Sequence, residues 1–298
     1  MVNKENDILV SILILTYQHS EYIRQALDSV LMQKVNFNYE IIISDDCSMD
    51  GTQEILIDYK RIYPNLIHLN LQKVNLGAIR NLNMTLKRCK GKYIAFLEGD
   101  DFWNDANKLQ TQIDFLENHP EYSACCHNAE VIGDDIKKCK LYKINHSDID
   151  SLDYYLKTIP TIVSASLTCR NLFGENNYYK YFTKTKFIGD RIIHALLLRH
   201  GKIKYLNEKM CTYRFITHGN TSFSSQDKIF GIKDFITSFK VLRSFLPSEY
   251  HKAIDEFITK KQIIIIECYW DNHQKKEMFQ YICKDLSLKE KINIIVRR

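Results

Sequence analysis

Four short apolar runs, each closed by polar residues and each leading toward a segment of helical period, occupy the first hundred residues and limit the fold more than any other feature. They cover residues 8–15, 40–44, 67–71 and 93–97. Nearly continuous apolar runs of that length suit strands buried on both faces. Between them, Ile23, Ala26, Leu27, Val30 and Leu31 recur at helical spacing up to Gln33, with Ser20 as the expected N-cap. Thr52 opens a second helix carrying Ile55, Leu56 and Tyr59, and residues 79–89 form a third. Such alternation predicts an α/β fold with a mostly parallel sheet covered by helices on both faces. Further along, the spacing predicts a helix over 107–118, strands at 124–132, 164–169 and 211–215, and a helix over 188–200. Residues 226–284 read as mostly helical, broken at Pro247 and Ser248. The expected division is therefore 1–225 and a helical C-terminal region, 226–298.

In open parallel sheets, ligands sit beyond the carboxyl ends of the strands. Here those ends carry Thr16 and Tyr17, then Asp45 and Asp46, then Asn75 to Gly77, then Glu98, Asp100 and Asp101. Turns favour Asp, Asn and Gly for conformational reasons alone, but four strand ends of this kind in one sheet point to a site. Asp100 and Asp101 are the sharpest pair, because adjacent carboxylates repel unless a cation lies between them and something else. Hard oxygen ligands suit Mg²⁺ or Mn²⁺, which complete their shells with substrate phosphates. The chain has neither G-x-x-x-x-G-K-[ST] nor G-x-G-x-x-G, so a bound diphosphate would be held through metal and not by a glycine-rich nest.

Lys and Arg number 41 against 36 Asp and Glu, a formal charge of +5 with the two signs interleaved. That balance is not a nucleic-acid footprint. The nine cysteines include no C-x-x-C pair and fit reduced thiols. The opening Met-Val-Asn-Lys-Glu-Asn-Asp lacks the basic-then-apolar order of a signal peptide, and no run has the length of a spanning helix. The expected location is the cytoplasm. Lys284, Lys289, Lys291, Arg297 and Arg298 flank apolar Ile292, Ile294, Ile295 and Val296, a tail that suits either peripheral contact with the inner face of the cell membrane or a solvated terminal helix.

The run from Val10 to Tyr17, the turn Asp45-Asp46-Cys47-Ser48-Met49-Asp50-Gly51-Thr52, the Asn75-Leu76-Gly77 and Arg80-Asn81 segment, and Phe96-Leu97-Glu98-Gly99-Asp100-Asp101-Phe102-Trp103 with Lys108, Leu109 and Gln112 together resemble the family-2 glycosyltransferases. Their D-D-G-S-x-D-x-T turn has Cys47 in place of its usual small residue, and the last block is similar to a bacterial subgroup with E-G-D-D-[FY]-W. The resemblance spans Val10 to Phe223 and implies the GT-A fold, a mostly parallel Rossmann-like sheet with a nucleotide-binding half (1–103) and an acceptor half (104–225). It implies that Asp46, or Asp45 one residue earlier, accepts the imide N–H of a uracil or thymine ring, with Thr16 and Tyr17 lining base and ribose. Asp100 is then expected to face ribose or sugar, Asp101 to ligate the metal and Glu98 to act through water. Arg80 would touch the diphosphate or simply be an exposed helical arginine.

Gly189-Asp190 resembles the family's E-D pair, with Gly189 replacing the first acid. Asp190 is thereby the expected catalytic base, although a helix N-terminal carboxylate offsetting the dipole would look the same. Thr212-Tyr213-Arg214-Phe215, then His218 and Ser222, is similar to the Y-R-x-H-x-x-S stretch. Arg214 would pair with the diphosphate or tie its loop to a core carboxylate, and His218 would be a metal ligand, a phosphate contact or a loop histidine. The implied reaction moves a sugar from a nucleotide-sugar, a UDP-sugar first among them, to a hydroxyl of a saccharide or lipid-linked saccharide acceptor, with inversion. The alternatives are a nucleotidyltransferase, which would show a glycine-rich basic loop where Thr16 to His19 stand, or an inactive glycan-binding module. A donor pocket is expected between Trp103, the 123–132 strand and the 164–190 region.

Overall fold

A computed structural model describes residues 8–134, 136, 147–174, 178–186, 189–216, 227–288, 290–291 and 294. Its elements, in chain order, are β1 (Val10–Thr16), α1 (Ile23–Leu31), β2 (Tyr39–Asp45), α2 (Thr52–Ile62), β3 (Ile67–Leu71), α3 (Ala78–Leu86), β4 (Tyr93–Glu98), β5 (Phe102–Trp103), α4 (Lys108–Asn118), β6 (Tyr122–Gly133), α5 (Leu152–Thr158), β7 (Thr168–Arg170), α6 (Asp190–Leu198), β8 (Lys202–Phe215), α7 (Lys228–Phe245), α8 (His251–Asp271) and α9 (Lys275–Gln280). The chain forms two compact units, 1–225 and 226–298.

The first unit is built on one eight-stranded sheet in the order β3-β2-β1-β4-β7-β6-β8-β5. β1 pairs in parallel with both β2 and β4, and β2 with β3. Ile12, Ile14, Ile41, Ile43, Ala95 and Leu97 from these central strands are buried in one core with Ile23, Leu27 and Val30 of α1 and Leu56 of α2. Burial along nearly the whole of β1 is what a parallel strand covered on both faces requires. The parallel rule ends at β4: β7 runs antiparallel to β4 and to β6, β5 antiparallel to β8, while β6 and β8 are parallel. The sheet is therefore mixed. The expected strand at 164–169 is a 3₁₀ turn, Ser164–Ser166, followed by only three strand residues.

Ser20 does not cap α1, whose N-cap is Tyr22 with no side-chain bond. Its amide instead donates to Asp50 Oδ2 at 2.9 Å. Trp103 is 1% exposed and donates its indole N–H to the Ala165 carbonyl at 2.8 Å, so it is a core residue and does not line an open pocket. Beneath it lies Lys108, with Nζ 4.1 Å from the ring centroid and 2.8 Å from Gln112 Oε1. Burial pulls that ammonium down to about 7. Gln112 also accepts from Thr168 and donates to the Cys125 and Ser166 carbonyls. The Lys108 and Gln112 positions thus hold α4 to the neighbouring strands.

In the second unit, the rings of Phe235 and Phe239 on α7 pack with Phe257 of α8, Phe239 and Phe257 at 3.9 Å. That is ordinary helix packing. All eight described cysteines are free, and no helix among the described residues is long and apolar enough to cross a membrane.

Candidate active site

The order β3-β2-β1-β4 reverses direction at β1, so the crevice beyond the carboxyl ends of β1 and β4 is where such a sheet receives ligands. Leu15 faces Glu98 across that pair, and Gly99 N donates to the Leu15 carbonyl at 2.7 Å. A Cβ at Gly99 would lie 2.7 Å from His19 Nδ1 and 2.8 Å from Thr16 Oγ1. Only glycine lets the first loop close onto the acidic strand end. Thr16 and His19 are 3% and 8% exposed, and Thr16 Oγ1 and His19 Nδ1 are buried without hydrogen-bond partners among the described residues. His19 lines this candidate site, a position that the sequence pattern passed over. Its Nε2 lies 3.8 Å from Asp100 Oδ2, and its place three residues after Thr16 was the available signal.

The turn after β2 is a hydrogen-bonding template for that first loop. Ser48 Oγ accepts from Gln18 N at 2.8 Å, Thr52 Oγ1 from His19 N at 3.0 Å, and Asp50 from Ser20 N. The spacing of Ser48, Asp50 and Thr52 is thereby explained. Cys47 adopts φ +67°, a left-handed conformation natural to glycine, which is why the family's usual small residue suits this place. Asp45 is fully buried; it accepts from Ser48 N at 2.9 Å, Gln53 Nε2 at 2.7 Å and the Ser48 hydroxyl. Asp46 reaches the other way, Oδ1 accepting from Leu76 N and Oδ2 from Gly77 N, both at 2.8 Å. Burial raises its pKa, and those two amides pull it back. Of the two alternatives, Asp46 is the one turned to the 75–77 loop. Tyr17 is partly exposed beside this loop system, and Arg80 is exposed on α3.

At the fourth strand end the acids are not matched by donors. Asp101 is 2% exposed; Oδ1 accepts from Arg214 N at 2.8 Å, while Oδ2 is buried with no partner among the described residues. Burial, then Asp100, hold its carboxyl well above the usual range, with Glu98 adding to the effect. Burial also lifts Glu98 to about 8, assisted by Asp100 and Asp190 and opposed by a hydrogen bond from Ser164. An orphaned carboxylate oxygen amid like charges fits a divalent cation, which would supply the missing positive partner. No group of three metal-ligating side chains exists among the described residues. His218 and Ser222 lie outside the described residues.

Arg214 reaches this corner because β5 pairs Phe102 with Thr212 and Trp103 with Cys211. Its guanidinium is 4.9 Å from the ring centroids of both Tyr22 and Phe102, donates to the Asp100 carbonyl at 2.9 Å and binds Gln25 Oε1. It ties the end of β8 to the acidic strand end and to α1. Asp190 is the first residue of α6, with its side chain 33% exposed, and its charge is felt by Glu98. A Cβ at Gly189 would lie 2.8 Å from Ile79 Cδ1 and 3.2 Å from Leu82 Cδ2 of α3, so a side chain in place of the missing first acid would have to displace those two tips.

A model of "Glycosyl transferase family 2" matches residues 11–175. The uncharacterized protein Rv1520 of Mycobacterium tuberculosis is 33% identical over 217 residues, 70% of this chain and 60% of Rv1520; the chain thus spans less than two thirds of that relative. The Escherichia coli UDP-Glc:alpha-D-GlcNAc-diphosphoundecaprenol beta-1,3-glucosyltransferase WfaP is 41% identical over 109 residues, 37% of this chain and 41% of WfaP. Among solved structures, S. aureus TarS 1-349 in complex with UDP-GlcNAc superposes with a TM-score of 0.65 at 17% identity, over 96% of this chain and 79% of TarS 1-349. That likeness shows the fold to be GT-A. With its strand order, its two acidic strand ends and a family match over more than half its length, the chain belongs to glycosyltransferase family 2.

Proposed function

We propose that the chain transfers one sugar from a nucleotide-diphosphate donor, a UDP-sugar, to a hydroxyl of a saccharide acceptor, inverting the anomeric centre. The observation that carries this reading is the β1/β4 crevice, where the unpartnered Asp101 oxygen stands among Glu98 and Asp100, and Glu98 is within electrostatic reach of Asp190. Thr16, Tyr17 and Asp46 form the nucleoside side; each Asp46 oxygen already takes one amide and keeps a lone pair for a base imide. Asp101 would hold Mn²⁺ or Mg²⁺, with Asp100 facing the ribose or sugar, and a bound cation would supply charge neutralisation at the diphosphate. Arg80 and Arg214 are the cationic side chains on the diphosphate side. Asp190 takes the proton of the acceptor hydroxyl as that oxygen attacks C1 from the face opposite the nucleotide, and a single displacement inverts the centre.

The UDP-sugar named for WfaP and the UDP-GlcNAc bound in TarS support the donor class, and the diphosphoundecaprenol in WfaP's name supports a lipid-linked acceptor in surface polysaccharide assembly. The work would then be done in the cytoplasm at the inner face of the cell membrane. The C-terminal unit has fourteen Lys and Arg against ten Asp and Glu, so it carries +4 of the chain's +5, and it exposes Trp270, Phe279 and Leu288. Ile294 of the apolar tail is buried, so these three are the better candidates for the apolar part of a membrane contact.

The decisive variant is Asp190→Asn. Turnover is expected to fall by roughly 10²- to 10⁴-fold, while UDP affinity measured by calorimetry with Mn²⁺ stays within about twofold. Full transfer activity in that variant would remove Asp190 as base.

A further inference from the structure

Asp190 is the partly exposed end of a buried polar cluster whose other members have no role in the reaction as described. The next residue, Arg191, is 5% exposed although it carries a guanidinium. Its Nε lies 3.6 Å from Asp190 Oδ2, its Nη1 donates to the Pro160 carbonyl, and it hydrogen bonds Tyr155 of α5. The Tyr155 hydroxyl in turn meets His194 Nδ1 at 3.3 Å. Burial raises Tyr155 to about 12 and lowers His194 to about 4. At neutral pH both are uncharged, and Arg191 is the cation of the cluster facing Asp190.

The carbonyl that Arg191 holds follows an unusual backbone. Ile159, at the end of α5, has φ +46° and ψ +60°, a left-handed conformation that a β-branched side chain resists. The chain then continues through Pro160, Ile162 and Val163 to Ser164, whose hydroxyl bonds Glu98. One guanidinium therefore joins the proposed base to a strained segment that ends on the acidic strand end.

We propose that Arg191 is a positioning residue: its buried fork fixes the Asp190 carboxylate against the 159–164 segment, so that base and acidic strand end keep one mutual arrangement. This rests on the reading of Asp190 as base. Lysine at the same place supplies charge but not the planar guanidinium that pairs with Asp190 while bonding the Pro160 carbonyl.

The test is a double-mutant cycle on the full chain, following sugar transfer together with UDP and Mn²⁺ binding by calorimetry. Arg191→Met lowers kcat by roughly 10- to 100-fold, the scale of a misplaced reacting group, with UDP affinity unchanged; Arg191→Lys recovers part of the loss. In an Asp190→Asn background, Arg191→Met costs less than about twofold, because the group it positions is gone. Equal losses in the two backgrounds would show a merely structural role and overturn the proposal, as would full kcat in Arg191→Met. Retained activity in Asp190→Asn alone would instead sink the base assignment, a different result from additivity.

Discussion

The same dipeptide, Asp-Asp, ends two neighbouring parallel strands and meets opposite fates. After β2, Asp45 and Asp46 receive four donors between them from the 48–53 and 76–77 segments, besides the internal Ser48 hydroxyl contact. After β4, among the described residues, Asp101 receives a single amide and Asp100 only a distant imidazole, while Glu98 adds a third acid to the corner. The first pair organises loops; the second stores repulsion that a cation would relieve. Adjacent carboxylates are thus no cation signal by themselves. The supply of backbone amides around them decides whether they are structure or site.

The largest expected effect tests the β4 side. Asp101→Asn keeps an acceptor for Arg214 N but removes the charge, and Mn²⁺-dependent UDP affinity should drop by at least about 100-fold in titration calorimetry. An unchanged affinity would erase the distinction between the two pairs. The matching substitution at β2, Asp46→Asn, replaces one acceptor by a donor facing a buried amide and should cost about 2–3 kcal/mol in urea unfolding. Asp101→Asn should leave stability without nucleotide and metal equal or higher.

Glu98 sharpens the comparison through pH. A carboxyl raised from 4.5 to about 8 keeps its proton in the folded chain after the unfolded chain has lost it. Its favourable contribution is complete below about pH 4.5 and is lost as pH rises toward about 8. Without metal, the wild-type chain should therefore melt lower at pH 8 than at pH 5, and Glu98→Gln should gain roughly 5 °C over wild type at pH 8 and nearly nothing at pH 5. Absence of that pH dependence would mean the corner is already neutralised. The smallest effect belongs to Cys47→Gly, which relieves a left-handed cysteine at some cost in chain entropy and should add about 0.5 kcal/mol; a loss of stability there would show that the thiol packs usefully.

Much of this was legible in the residues. The apolar runs and helical periods placed β1 to β4 and their helices within a few residues, because parallel strands buried on both faces must be nearly continuous in apolar side chains. The polar residues that follow β1, β2 and β4 lie together at the carboxyl edge of the sheet. The second half was harder to read because its strands are mixed in direction, β7 has three residues and β5 two, too short to show a period. Trp103 looked like a pocket wall and is core, since an indole that finds a buried carbonyl can be covered completely.

The sequence by itself determined which residues could carry chemistry and that they would gather beyond the strands' carboxyl ends, since that follows from strand polarity and local patterning. Only the tertiary structure decided that Asp45 and Asp46 are satisfied and Asp101 is not, that His19 packs onto Gly99, and that Arg191 spans Asp190 and Pro160. Each depends on donors from segments distant in the chain, and hydrogen-bond supply at a buried carboxylate is a property of the neighbours that folding brings, which no local spacing encodes.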